Sequence, residues 1–211
     1  MIITYHGVEF FKLQFGDTII ALNPVSKESK FKNIRFGADM ALYSLNDKDM
    51  NGIENVAHGD RSPFIVSGPG EYEIKGIFIK GAPSESGYGG EKRINTIYTI
   101  NMEGMNLCFL GALDMKDLPE AAKEAIDDVD ILFVPIGGEG VLNPADAYKL
   151  AVKLEPKIII PMHYGQVGDK NALKIFLKEG GEENTKPADK LTIKKKELEG
   201  KEGEIIVLAE E

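Results

Sequence analysis

The sequence predicts an α/β chain of the α+β type, with two sheets and helices on their outer faces, and three observations predict it. Up to about residue 110 the chain is a series of short segments rich in β-branched and aromatic residues, broken by Gly, Asn, Pro and Asp, which is the pattern of strands and turns. From residue 117 the apolar residues recur with helical spacing. Between the helical stretches lie a wholly apolar run, 131–135, and a second buried strand, Lys157-Ile-Ile-Ile-Pro161, of the kind covered on both faces.

In order, residues 2–5 form the first strand. Segments 10–15 and 18–22 flank Gly16 and Asp17, two residues suited to a tight reversal, and so form a hairpin. Further strands are expected at 40–44, 64–67, 73–80, 95–100 and 105–110, the last two joined through Gly104. Asp117, Pro119 and Glu120 offer a cap, an early proline and an acidic first turn to a helix that runs to about Ile126. Asn143 caps the next helix, Pro144 takes its first position and Asp146 its first turn; Ala147, Leu150, Ala151 and Leu154 make one apolar stripe, and Pro156 ends it. The apolar run after it delivers Met162, His163 and Tyr164 at its C-terminal end. A third helix carries Leu173, Phe176 and Leu177 on one face and stops at Gly180-Gly181. Segments 191–198 and 204–208 read as a closing hairpin around Gly200 and Gly203, with Lys194, Lys195 and Lys196 on a solvated strand edge. No Pro/Ser/Gly-rich linker divides the chain, so residues 1–211 are expected to form a single domain.

At 211 residues, 43% hydrophobic and 28% charged, the composition is that of a globular protein and excludes disordered, collagen-like and membrane-spanning classes. With 34 acidic against 25 basic side chains the net charge is −9, so no nucleic-acid or membrane partner is expected; an unknown small molecule or protein is left, and the oligomeric state stays open. The one cysteine, Cys108, lies in an apolar run and reads as a small core hydrophobe, because a single thiol can form neither an internal disulfide nor a metal knuckle. The start carries no basic leader and no apolar run approaches the roughly 20 residues a bilayer demands, which places the protein in the cytoplasm.

The order of Ile3-Thr-Tyr-His-Gly7, Leu22-Asn-Pro24, Pro69-Gly-Glu-Tyr-Glu-Ile-Lys-Gly76, Phe109-Leu-Gly-Ala112, Phe133-Val-Pro-Ile-Gly-Gly138 and Pro156-Lys-Ile-Ile-Ile-Pro-Met-His-Tyr164 resembles the metallo-β-lactamase fold, specifically its branch of small metal-dependent hydrolases. The resemblance covers residues 1 to about 208 and implies a four-layer αββα sandwich. It also implies a ligand pattern, His-x-His-x-Asp-His, after a strand ending in a hydroxyl residue. Here that place reads Ser44-Leu45-Asn46-Asp47-Lys48-Asp49-Met50. Leu45 stands for the first histidine, Asp47 for the second and Met50 for the third, while Asp49 keeps the aspartate. The later histidine would fall near 82–86, where there is none; the bridging aspartate is Ala112, and the last histidine is retained as His163.

A catalytic zinc takes three protein N, O or S ligands and leaves one position open, and Leu, Met and Ala offer none. The resemblance therefore leads to the expectation of a protein that has lost the dinuclear zinc centre, requires no cofactor and serves as a non-catalytic binding or assembly module. The alternative is a metal-dependent hydrolase with a rebuilt site, in which Asp47 and Asp49 hold a divalent cation (Mg, Mn or Zn) and His163 is a ligand or general base, acting on a phosphodiester, lactone or thioester. A third course is metal-independent acid/base hydrolysis by His163 with a nearby carboxylate. Each residue also has a plainer reading. Asp47 and Asp49 suit a turn, with Asn46, Asn51 and Gly52 beside them, and His163 suits a polar pocket. His6, His58 in the polar loop 57–60, the loop 81–90 with Ser84, Glu85 and Ser86, and the pairs Gly89-Gly90 and Gly137-Gly138 read as structural or solvent-exposed.

Overall fold

A computed structural model describes residues 1–59 and 62–211. In chain order the strands are Ile2–Tyr5 (β1), Phe11–Phe15 (β2), Thr18–Leu22 (β3), Met40–Leu42 (β4), Phe64–Val66 (β5), Gly70–Ile74 (β6), Ile77–Ser86 (β7), Arg93–Met102 (β8), Met105–Phe109 (β9), Ile131–Pro135 (β10), Ile158–Met162 (β11), Leu191–Thr192 (β12) and Glu204–Ile205 (β13). The helices are Glu120–Ala125 (α1), Pro144–Leu154 (α2) and Ala172–Glu179 (α3). They build two mixed sheets, ordered β12-β1-β2-β3-β4-β5 and β13-β11-β10-β9-β8-β7-β6.

Alternation along the strands sorts the side chains into layers. Phe11, Leu22, Leu42, Tyr98, Phe109, Phe133 and Ile160 fill the space between the sheets. The opposite faces of β10 and β11, through Leu132, Val134 and Ile159, meet Leu150 and Ala151 of α2 and Phe176 of α3. On the other side Ala21 and Ala41 face outward, and Val25, Leu45, Met50 and Val56 of the connecting segments cover them. The α/β sandwich is the expected one. Asn143 caps α2 as expected, its side chain accepting from the Asp146 N–H at 3.0 Å. Cys108 is buried in the core, and burial pushes its thiol pKa up to about 12. Among the described residues no helix is long and apolar enough to cross a membrane.

Four local expectations are corrected. The segment 73–80 is not one strand: Lys75 (φ 54°) and Gly76 (φ 74°) turn left-handed between Ile74 and Ile77 and make the two-residue hairpin of β6 and β7. The first helix starts at Glu120 and not at Asp117, whose carboxylate pairs with Lys153 at 3.1 Å instead of capping. Segments 191–198 and 204–208 are not a hairpin. β12 pairs with β1 in one sheet and β13 with β11 in the other, and the lysine run forms a 3-10 turn because Lys195 reaches inward to Asp130 at 2.6 Å. The stretch 81–90 is not an exposed loop throughout: β7 runs to Ser86, and Ser84 and Ser86 are buried.

Phe133 sits fully buried between the sheets, with its ring centroid 4.9 Å from Phe11 and 6.0 Å from Phe109. Phe133→Ala removes the ring that links the two sheets and is expected to cost about 3–5 kcal/mol, read as a fall in the urea midpoint at unchanged slope.

Candidate functional site

His163 follows β11 directly. Two adjacent parallel strands, β10 and β11, carry apolar side chains on both faces, so their register is fixed by burial and their C-terminal ends are held rigidly. At the end of β11 the chain turns sharply: His163 has φ 62°, and its N–H donates to the Val8 carbonyl at 2.6 Å. Gly137 makes the turn possible, since a Cβ there would come within 2.3 Å of the His163 carbonyl oxygen and 2.6 Å of its ring. In the Gly137-Gly138 pair, Gly137 is therefore a close-approach position as well as loop punctuation.

The His163 side chain is fully buried and meets an equally buried carboxylate, Glu9, which the sequence reading passed over. Glu9 Oε1 lies 2.7 Å from His163 Nδ1, and Glu9 Oε2 accepts from Asn23 Nδ2 at 2.7 Å. Asn23 is fixed in turn by Ser44: its Nδ2 donates to Ser44 Oγ at 2.9 Å and its Oδ1 accepts from the Ser44 N–H at 2.7 Å. A carboxylate oxygen offers only lone pairs, so Nδ1 is the donor in this bond, which in a neutral imidazole places the free lone pair on Nε2. That Nε2 is buried and has no partner among the described residues.

Both loop aspartates are already engaged, and Asp49 is connected to this histidine through Tyr88. Asp49, 6% exposed, accepts from Ser29 Oγ at 2.5 Å and from the Tyr88 hydroxyl at 2.7 Å. The Tyr88 ring stands edge-on to the His163 ring, 5.2 Å between centroids. Burial, and then the bond to Asp49, drive the Tyr88 phenol far above its ordinary pKa, so it serves as a donor. Asp47 accepts from Arg93 at 3.0 Å, and its other oxygen accepts from the Asp49 N–H at 3.0 Å, which is the turn-forming role. Arg93 also donates to the Tyr88 carbonyl at 2.5 Å. Tyr88 thus links Asp49 to His163, while Arg93 holds Asp47. Tyr88 and Arg93 were not singled out from the sequence; a lone aromatic in Gly87-Tyr88-Gly89-Gly90 was the available signal, as was an acid in the apolar stretch Val8-Glu9-Phe10.

The donor set does not fit a zinc pair. Leu45, Met50 and Ala112 are buried in the outer apolar layer, and among the described residues no group of three or more His, Cys, Asp or Glu side chains converges to hold a metal ion. His163 Nε2 is the buried imidazole nitrogen of this centre left without a partner among the described residues, whereas both Asp49 oxygens already accept, from Ser29 and from Tyr88. His58 is exposed, and Asp60 of its loop lies outside the described residues.

Residues 2–163 match the model of the beta-lactamase superfamily domain. A UPF0173 metal-dependent hydrolase of Listeria innocua is 30% identical over 160 residues, which cover 71% of this chain and 61% of the relative. A second, from Thermococcus onnurineus, is 30% identical over 99 residues, 45% of this chain and 44% of that one. The matched stretches thus span about half to three fifths of these relatives. A Thermotoga maritima structure assigned as a zinc-dependent hydrolase of the metallo-β-lactamase superfamily superposes with a TM-score of 0.73 at 26% identity, covering 98% of this chain and 97% of that one. These relatives correct the expectation of a non-catalytic binding or assembly module: they are named hydrolases.

His6 is buried between Phe10 and Phe36, 3.7 Å from Glu211, and is not part of this centre. Burial, with Lys12 and Lys32 nearby, lowers its pKa to about 4. The unfolded chain takes up this proton near pH 6.5 and the folded chain only near 4, so stability falls as the pH drops through that window. The loss is expected to reach about 3 kcal/mol. Urea titrations at pH 7, 6, 5 and 4 are expected to show it, and His6→Phe to flatten the slope; an unchanged slope in the variant contradicts the assignment.

Proposed function

The chain belongs to the beta-lactamase superfamily domain family, and we propose that it is a hydrolase working with one divalent cation at His163 and Asp49. The observation that carries this reading is the buried, unpartnered Nε2 of His163, with Glu9 fixing the opposite nitrogen. Histidines that ligate metals characteristically donate their other N–H to a carboxylate, which fixes the tautomer and raises ligand basicity. Leu45, Met50 and Ala112 remove the donors of a zinc pair, so the zinc centre of the resemblance is not retained, and oxygen-preferring Mg²⁺ or Mn²⁺ suits what remains. When bound, such a cation polarises a carbonyl or phosphoryl oxygen and lowers the pKa of water.

The chain's own groups do the rest. Glu9, locked by Asn23 and Ser44, keeps the imidazole oriented; Asp49 supplies negative charge; the Tyr88 phenol, held protonated, donates a hydrogen bond. The substrates proposed are small phosphodiesters, lactones or thioesters, because a net charge of −9 disfavours a polyanion. One buried, unpaired thiol fits a cytoplasmic setting.

The test is a rate panel on bis-p-nitrophenyl phosphate, an aryl thioester and a simple lactone. Chelator-treated protein is expected to be inactive and to recover with Mn²⁺ or Mg²⁺, and His163→Ala and Asp49→Ala to lose roughly 100-fold or more. Turnover indifferent to chelator and to both substitutions would contradict the reading.

A further inference from the structure

We propose that the groove between the C-terminal end of α2 and the segment leading into β13 is a binding site for a small organic ammonium ion with an apolar body. The groove has a volume of about 660 Å³ and lies at the start of β11, whereas His163 follows its end, so the inference stands apart from the reading of that centre.

The shape of the groove follows from the sequence around Pro156. α2 ends at Leu154, Glu155 takes a left-handed conformation (φ 47°), and Pro156 cannot continue the helix, so the chain leaves α2 at once and enters β11. β13 lies parallel to β11, Glu204 opposite Ile158, and the segment before it crosses the same corner, with the Gly203 N–H donating to the Pro156 carbonyl at 2.8 Å. Between these runs the chain leaves an apolar lining of Ala151, Pro156 and Ile159, joined by the Tyr148 ring and by Val152, which is 53% exposed. A cleft of this volume with a mainly apolar lining and a few polar groups is the usual form of a small-molecule site.

Charge selects the ligand. The lysines at this corner are held by acids of the chain: Lys153 by Asp117 at 3.1 Å, Lys157 by Asp130 at 2.6 Å, and Lys201 by Glu204. Asp130 is shared with Lys195, which lies outside the lining. The remaining acids of the lining, Glu155 and Glu202, make no side-chain ion pair or hydrogen bond among the described residues. The carbonyl end of α2, an eleven-residue helix, adds the negative pole of its dipole at the same place. An anion is therefore repelled here. An ammonium ion answers the two free carboxylates, the Tyr148 ring adds the attraction of an aromatic face for cations, and an apolar body covers Val152 and Ile159.

The test is a proton–nitrogen correlation NMR titration of the full chain with phenethylammonium, and with phenethyl alcohol and phenylacetate as the same body without charge and with negative charge. Phenethylammonium is expected to shift the Val152, Ile159 and Gly203 amides saturably, the alcohol to bind there about fivefold or more weakly, and phenylacetate to leave them unmoved. Glu155→Gln and Glu202→Gln are each expected to weaken the ammonium ion about fivefold, and the double variant to bind it no better than the alcohol. Glu73→Gln, which removes the same charge from an exposed position on β6, is expected to change nothing. Glu155 and Glu202 are both exposed, so the variants keep the fold. Equal affinity for the ammonium ion and the alcohol, binding unmoved in the double variant, an equal loss in Glu73→Gln, or no saturable shift at these amides overturns the proposal.

Discussion

A buried carboxylate facing a buried imidazole is the contact on which this site depends. Glu9 lies in the connection between β1 and β2 of one sheet and His163 at the end of β11 in the other, and their side chains meet at 2.7 Å with no exposure to solvent. The contact joins the two sheets at the place where the apolar core between them ends. Each partner would be costly to bury alone; Asn23, itself held by Ser44, donates to the remaining carboxylate oxygen. The backbone is shaped around the pair: Val8 and His163 both take positive φ, and the His163 N–H closes on the Val8 carbonyl. Non-glycine residues held in that conformation persist where the surroundings over-determine them, as at functional sites.

From this pair outward, the polar groups are engaged in a chain. Glu9 answers His163, Tyr88 stands between His163 and Asp49, Ser29 takes the other Asp49 oxygen, and Arg93 answers Asp47. At the opposite pole of sequence logic, Leu45, Met50 and Ala112 have joined the apolar layer outside the first sheet. The Ser29 and Tyr88 hydroxyls donate to Asp49, and the Arg93 guanidinium pairs with Asp47. The relatives of this chain are named metal-dependent hydrolases.

Much of the fold was legible because burial writes itself as periodicity. The runs at β10 and β11 are apolar at every position because both faces are covered, and Asn143-Pro144 marks the start of α2 through a hydrogen bond within three residues. What was not legible depended on distant partners. Lys195 reads as the outward residue of an alternating strand until buried Asp130 is seen to draw it inward. Asp117 reads as a cap until Lys153 is found beside it. In the site, His163, Asp47 and Asp49 could be picked out from the resemblance, whereas Glu9 could not, because its partner lies 154 residues away in the chain. Tyr88 was hidden by its glycine-rich surroundings, which read as plain loop.

The central claim is that Glu9 fixes His163 as the tautomer with its proton on Nδ1 and its lone pair on Nε2. Nitrogen-15 NMR of the imidazole side chains at neutral pH tests it most directly, with the His163 signals assigned by their loss in His163→Gln. The account predicts a protonated Nδ1 and an unprotonated Nε2 for His163, and a shift of that balance in Glu9→Gln. A proton resident on Nε2, or a His163 pattern unmoved by Glu9→Gln, would contradict it.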